Sequence, residues 1–338
     1  MPKALIIGPD FYNFNDAVSN AFRQLDYGDV HAVAYGTPVD PYDLSNKLSY
    51  KLAVDKAAFR SRNRLQRQRY YREIFDEHKP DVVFILNGEI LLAETLDYFR
   101  RRAQVALWCF DSVMHVPDIK GHIDHVDRFY CYDKGDIEYY NSLHKQALFL
   151  PQAADTSVYH PLEGIQKDID ILFVGDVYHS AKRQKYLAGV IAAFPGKRIR
   201  VVGIYKPWYK NPVKALFRER RDIYTNHNLE PRKVNELYNR ARVVLNIHNE
   251  QQTDGANPKV FEICASGAYQ VCDANPYIRN LFPEGTIGLY GSETELHQKI
   301  RTALNDDMSA AARRSHELVC SEHTFQQRIR QVLKDLEI

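Results

Sequence analysis

The chain lacks any long apolar run. Its longest uninterrupted apolar stretches, such as 105–110, hold about six residues, where a bilayer-spanning helix needs about 20. Cysteine is sparse: Cys109, Cys131, Cys264, Cys272 and Cys320 are odd in number and far apart. No CxxC pair and no His/Cys cluster at zinc-ligand spacing accompanies them, so neither a disulfide framework nor a structural zinc site is expected. They read as buried free thiols of a reducing cytoplasm. An excess of one charge is also missing. With 45 basic and 43 acidic residues the net charge is +2, which argues against a general nucleic-acid binder. No fixed-period repeat and no low-complexity segment is present, which excludes solenoids and fibrous chains. Met1-Pro2-Lys3 runs straight into an apolar strand and does not read as a signal peptide, so a cytoplasmic protein is expected.

What is present is an ordinary globular composition, 45% hydrophobic and 26% charged, over 338 residues, more than one core usually serves. Two domains are therefore expected. Short apolar runs at 4–8, 31–35, 81–86, 105–110 and 128–132 read as strands, with helical patterns between them, including one long stretch over 44–78. The pattern restarts after Asp155, with strands expected at 170–175, 198–203, 243–247, 269–272 and 287–290. Strands alternating with helices imply parallel βαβ units, hence two Rossmann-like halves with a boundary near 161–167. The last helices, near 309–319 and 324–336, have no strand after them.

In open α/β sheets ligands bind beyond the carboxyl ends of the strands, and two facing sheets would make a cleft there. The most informative segment is 254–267. Asn257 suits an N-cap and Pro258 the first helical position, while Gly267 suits the helix end. The positive end of such a helix favours a diphosphate, and Lys259 adds a charge. Glu262, one turn inside, is placed to accept hydrogen bonds from a ribose diol, and Asp254 and Gly255 precede the cap where sugar hydroxyls would lie. The competing reading is a capped surface helix with two solvated acids.

Asp254-x7-Glu262 with Ala265-x-Gly267 resembles the Glu-x7-Glu element of nucleotide-sugar glycosyltransferases of the GT-B fold. Pro151-Gln-Ala-Ala-Asp155-x3-Tyr159-x-Pro161 is similar to their interdomain motif, and residues 236–246 to the helix and strand before the donor loop. Asn257-x-Lys259-x-Phe261-Glu262 resembles the CgeB-like (spore-maturation protein) branch of the glycosyl transferases group 1. Asp254 is one methylene shorter than the usual Glu, and Lys259 puts a point charge where an Arg fork is usual. The resemblance implies two Rossmann-like domains facing across a cleft: residues 1–160 for the acceptor, 168–320 for the nucleotide-sugar, and 321–338 as a helix crossing back to the first domain. It implies a glycosyltransferase, with retention of configuration favoured, that moves a sugar from a nucleotide-sugar to a glycan, lipid-linked or protein hydroxyl. Surface glycan or glycoconjugate synthesis is the expected setting. A nucleotide-sugar 2-epimerase and a non-catalytic surface-assembly protein share the architecture.

Further donor candidates are Gly175 and Arg183, with Lys182, around the first strand of the second half. Tyr205 is a candidate for stacking on the base, and Asn246 and His248 leave the strand before the donor loop. In the first half, Gly8-Pro9-Asp10, Asn87-Gly88-Glu89 and Asp111-Ser112 follow strands. An inverting enzyme would need a base there, for which Asp111 is the first candidate, Glu89 the second and His115 a third. Asp168-Ile-Asp170 has the form of a metal-binding DxD but falls at a strand start, so no metal or other cofactor is expected. Two basic runs remain: residues 47–72 with Asp55 the only acid, and 206–221 with aromatics interleaved. Either is a solvated face or a surface for an anionic membrane; no nucleic-acid module accompanies them.

Overall fold

The computed structural model describes residues 1–9, 13–35, 44–204, 223–250 and 252–338. Contacts divide it into two compact units, Met1–Pro151 with Phe325–Ile338, and Gln152–Thr324. The first unit holds β1 (Lys3–Gly8), β2 (Asp29–Ala34), β3 (Val82–Leu86), β4 (Gln104–Cys109), β5 (Arg128–Cys131) and β6 (Leu148–Phe149) in the order β2-β1-β3-β4-β5-β6. Every pairing is parallel, as with Ala4 beside Val82 and Val83 beside Val105. β3 is buried along its whole length, which is why its sequence is a continuous apolar run rather than an alternating one.

The second unit holds β7 (Ile169–Val174), β8 (Ile199–Val202), β9 (Tyr224–Thr225), β10 (Ala241–Asn246), β11 (Gln270–Asp273) and β12 (Gly288–Tyr290). Their order, β12-β11-β10-β7-β8-β9, is again all parallel. Counted from β7 this is the 3-2-1-4-5-6 order of dinucleotide-binding sheets. The direction of winding reverses between β7 and β10, so their carboxyl ends flank the crevice where such sheets bind ligands.

Three sequence expectations change in detail. The long helix expected over 44–78 is two helices, Leu44–Leu52 and Lys56–His78. The second restarts at Asp55, whose carboxylate accepts the Ala58 N–H at 2.9 Å, a standard N-cap. The two-residue edge strands β6 and β9 are too short to leave a periodic signal. Residues 152–167 lie with the second unit: the His160 N–H donates to Asn235 Oδ1, the Leu162 N–H to Asn239 Oδ1, and the Ala154 N–H to the His323 carbonyl.

The C-terminal helix Phe325–Asp335 lies in the first unit. Its apolar stripe, Phe325, Ile329, Val332, Leu333 and Leu336, is buried. The Phe325 ring centroid is 6.1 Å from those of Phe14 and Trp108. Arg328 Nε donates to the Pro151 carbonyl at 2.7 Å, and Tyr130 Oη to Asp335 Oδ2 at 2.9 Å. Because a buried phenylalanine truncated to alanine typically costs about 3–5 kcal/mol, Phe325→Ala should lower the melting temperature of the first unit by several degrees. Trp108 fluorescence in a Trp208→Phe background reports this; a melt identical to the parent would show that the contact contributes little.

Candidate functional site

The second unit brings the donor-loop candidates together at the carboxyl ends of β7, β10 and β11. Asn246 ends β10 and is buried; its amide and that of Asn257 exchange two hydrogen bonds, at 2.9 and 3.1 Å. Asn257 Oδ1 also accepts the Val260 N–H at 3.1 Å, so Asn257 caps the helix Pro258–Ala265 and fixes its start beside β10. His248 is buried behind this cap. Its Nδ1 lies 2.6 Å from Asp273 Oδ1, and its Nε2 accepts the Asn257 backbone N–H at 3.3 Å. With Nε2 turned to the Asn257 N–H, Nδ1 is the ring nitrogen that faces Asp273.

Asp273 is the centre of the cluster. It takes the His248 backbone N–H at 2.9 Å on Oδ1 and Lys182 Nζ at 2.5 Å on Oδ2. Burial works against its charge, but the interactions with His248 and Lys182 outweigh that and hold its carboxyl below the usual carboxylate range. Sequence reasoning missed Asp273, although its position, one residue past the expected strand 269–272, is where a carboxyl-end residue would be sought. Cys272 Sγ is 3.9 Å from both His248 Nδ1 and Asp273 Oδ1. These three side chains could together hold a cation. Burial and the Asp273 charge push the Cys272 thiol well up, and a metal on Nδ1 would leave a proton on Nε2 facing the Asn257 N–H. The arrangement therefore fits a hydrogen-bonded relay better than a metal centre.

Arg183 braces the crevice from the other side. Its Nε donates to the Ile247 carbonyl at 2.8 Å and its Nη1 to the Asp176 carbonyl at 2.9 Å, tying the segment after β7 to the end of β10. Gly175 is part of that segment, and a Cβ on Gly203, after β8, would lie 2.1 Å from the Gly175 carbonyl oxygen; only glycine fits. Glu250, also missed, accepts the Lys182 N–H at 2.9 Å and Ser180 Oγ at 2.9 Å, at the N-terminus of the helix Ala181–Ala193. Burial opposes its charge, yet these bonds hold its pKa down. Asp254 is half-buried, and the Gly255 carbonyl accepts Asn275 Nδ2 at 2.6 Å.

Glu262 is only 6% exposed. Its Oε2 lies 3.8 Å from Lys259 Nζ, and its carboxylate rests against the hydroxyls of Tyr159 and Tyr238. Burial raises its pKa against the pull of Lys259 and the two phenols. A ribose diol would therefore have to reach a carboxylate that tyrosines already enclose. Tyr159 belongs to the 151–161 motif. So does Pro161, whose Cγ would lie 3.0 Å from a Cβ on Gly267, where φ is 67°. Two motifs a hundred residues apart in sequence thus pack together.

Tyr205 and the basic run 206–221 lie outside the described residues, as does Asp10. Asp168 and Asp170 are at the amino end of β7, where Arg240 grips Asp168 at 2.5 and 2.8 Å and Arg198 and Arg242 flank Asp170. A cavity of about 640 Å³ opens at that end, bordered by Lys167, Arg242 and Met308, away from the donor-loop cluster.

In the first unit Asn87 adopts a left-handed conformation with φ of 63°. Its Oδ1 accepts the Phe110 N–H at 2.6 Å and its Nδ2 donates to Asp111 Oδ2 at 3.0 Å, joining the ends of β3 and β4. Asp111 and His115 are exposed. Glu89 is partly buried, and its Oε2 makes no hydrogen bond among the described residues. Burial raises its pKa, with the Asp111 charge adding to the effect.

Residues 182–334 match the family model described as glycosyl transferase-like. No curated protein matches the chain. Among solved structures, sucrose-phosphate synthase from Thermosynechococcus elongatus aligns with a TM-score of 0.69 at 12% identity, covering 100% of this chain and 99% of that one. A UDP-forming trehalose-phosphate synthase from Burkholderia xenovorans gives 0.66 at 11%, covering 100% and 99%. Anabaena HepE, solved with UDP and glucose, gives 0.62 at 11%, covering 100% of both chains. The fold is the two-domain α/β GT-B fold.

Removing one partner of a buried charge pair typically costs about 3–5 kcal/mol, so Asp273→Asn should destabilise the second unit by an amount of that order at neutral pH. A carboxyl whose folded pKa is depressed contributes stability above its unfolded value, near 3.9, and loses it as the pH falls. The deficit of the variant, read from urea melts, should therefore shrink below about pH 4. A deficit independent of pH would contradict this account of Asp273.

Proposed function

We propose that this protein is a glycosyltransferase that takes a sugar from a nucleotide-sugar held by the second unit. The observation that carries the reading is the capped helix Pro258–Ala265 at the β7/β10 reversal point, with Lys259 in its first turn. A helix N-terminus and a lysine together stabilise the negative charge that builds on a departing nucleoside diphosphate. The family match over 182–334 covers the segment that carries these residues. Asp254 and Gly255 precede the cap and would meet the sugar; Asn246, Gly175 and Arg183 shape the crevice; Glu262 would receive the ribose from below Lys259.

The acceptor hydroxyl would be offered from the first unit. Retention of configuration is the favoured outcome, on the Asp254-x7-Glu262 resemblance. If the reaction inverts instead, Glu89 suits the base better than Asp111, because its raised pKa matches a proton-accepting role nearer neutrality. No metal is assigned to the reaction, since the carboxylates of the donor loop are spaced for hydroxyl contacts and the DxD acids are held by arginines. Placement in surface glycan or glycoconjugate synthesis, and in the CgeB-like branch, is part of the same proposal. A 2-epimerase of the same architecture would turn over the donor without any acceptor, which a transferase would not.

Calorimetry with a panel of nucleoside diphosphates should find at least one that binds, with Glu262→Gln weakening it about tenfold, as expected for a charged hydrogen bond, and leaving the fold intact. Lys259→Ala should weaken the diphosphate but not the nucleoside. Binding to none of the panel, or unchanged affinity in both variants, would remove the donor assignment. Sugar transfer should persist in excess EDTA. Loss of transfer that Mg²⁺ or Mn²⁺ restores would contradict the metal-free reading.

A further inference from the structure

Residues 44–67 form two helical segments that place no residue in the core. Among the described residues no side chain from Leu44 to Arg67 is buried; burial begins at Gln68. Short helices in water depend on an apolar face packed against something else. Here that face is presented to solvent. Leu44, Leu48 and Leu52 follow one another at intervals of four residues on one side of the helix Leu44–Leu52, and they are 80%, 57% and 75% exposed. Val54 and Leu65 are exposed as well. Of the ten large hydrophobic side chains exposed among the described residues, these are five.

From Lys47 onward the charge of the segment is almost all of one sign. Residues 47–72 carry nine basic side chains, and the one acid, Asp55, is occupied in capping a helix. Between the two helices lies a pocket of about 260 Å³. Lys47, Arg60 and Arg67 border it, together with the rings of Tyr50 and Phe59, and no acid does among the described residues. Its frame is built rather than accidental: Asn63 Nδ2 donates to Asn46 Oδ1 at 2.9 Å across the helix pair, and the Arg60 guanidinium lies 4.7 Å from the Tyr50 ring centroid. A cationic pocket of this size with aromatic walls suits a phosphate-bearing head group, and a leucine stripe beside it suits acyl chains.

We propose that the 44–67 helix pair is a docking surface for an anionic phospholipid bilayer, with the leucine stripe entering the interface and the Lys47/Arg60/Arg67 pocket taking a lipid phosphate. No helix among the described residues is long and apolar enough to cross a membrane, so the contact is one of lying on the surface. Charge complementarity selects this occupant. Each cation near an anionic leaflet strengthens binding, and salt weakens the contact. The inference stands independently of the sugar-transfer reading.

The test is flotation of the full chain with vesicles of phosphatidylcholine alone and with vesicles containing phosphatidylglycerol. The protein should float with the anionic vesicles, remain in solution with the zwitterionic ones, and be released by high salt. Leu48→Glu/Leu52→Glu and Lys47→Glu/Arg60→Glu should each weaken binding by about tenfold or more, with unchanged melting temperatures because none of the four side chains is buried. Failure to float with the anionic vesicles overturns the proposal, as does wild-type binding by either double variant. Binding of single-stranded RNA without flotation on the anionic vesicles would assign the surface to nucleic acid instead. A dimer that the leucine variants dissolve, without vesicle binding, would assign it to a second copy of the chain.

Discussion

The carboxylate of Asp273 is the contact on which the proposed donor site depends. One side chain at the end of β11 receives the ring and backbone of His248, which leaves β10, and the ammonium of Lys182, from the helix after β7. His248 passes the constraint on through Nε2 to the backbone N–H of Asn257, and Asn257 caps the helix Pro258–Ala265. Two strand ends and two helix starts are thus located by a chain of hydrogen bonds anchored on one buried charge. A fixed site of this kind costs little reorganisation when a charged ligand arrives.

The consequence of that order is that most polar groups around the crevice already have protein partners. Arg183 holds two carbonyls, Lys182 holds Asp273, and Glu250 sits at the N-terminus of the helix Ala181–Ala193. In the proposed reading the helix end at Asn257 and Lys259, which also lies 3.8 Å from the Glu262 carboxylate, would face the donor diphosphate. Glu262 also contributes to packing, because with Tyr159 and Tyr238 it seats the helix against the segment that enters the second unit.

Much of this was legible in the sequence. All strands but β6 and β9 follow from apolar runs, and the Asn257-Pro258 cap and Gly267 stop follow from local backbone chemistry. The break between Leu52 and Lys56 was hidden because helical periodicity continues across it and only the capping oxygen of Asp55 marks the restart. Asp273 and Glu250 were not legible as site residues, since what makes them important is contact with residues 91 and 68 positions away. Nor could sequence show that Glu262 is enclosed, because Tyr238 and Tyr159 reach it only through tertiary packing. Arg183 read as a phosphate partner; its exposed-helix pattern gave no hint of the carbonyls of Asp176 and Ile247.

The central claim is that a nucleoside diphosphate binds at the carboxyl ends of β7, β10 and β11. Hydrogen exchange measured along the chain, with and without saturating nucleoside diphosphate, tests it most directly. The account predicts added protection concentrated in residues 175–183 and 246–262, with β1 to β6 unchanged. Protection confined to the first unit, or around the cavity beside Lys167 and Met308, would contradict it.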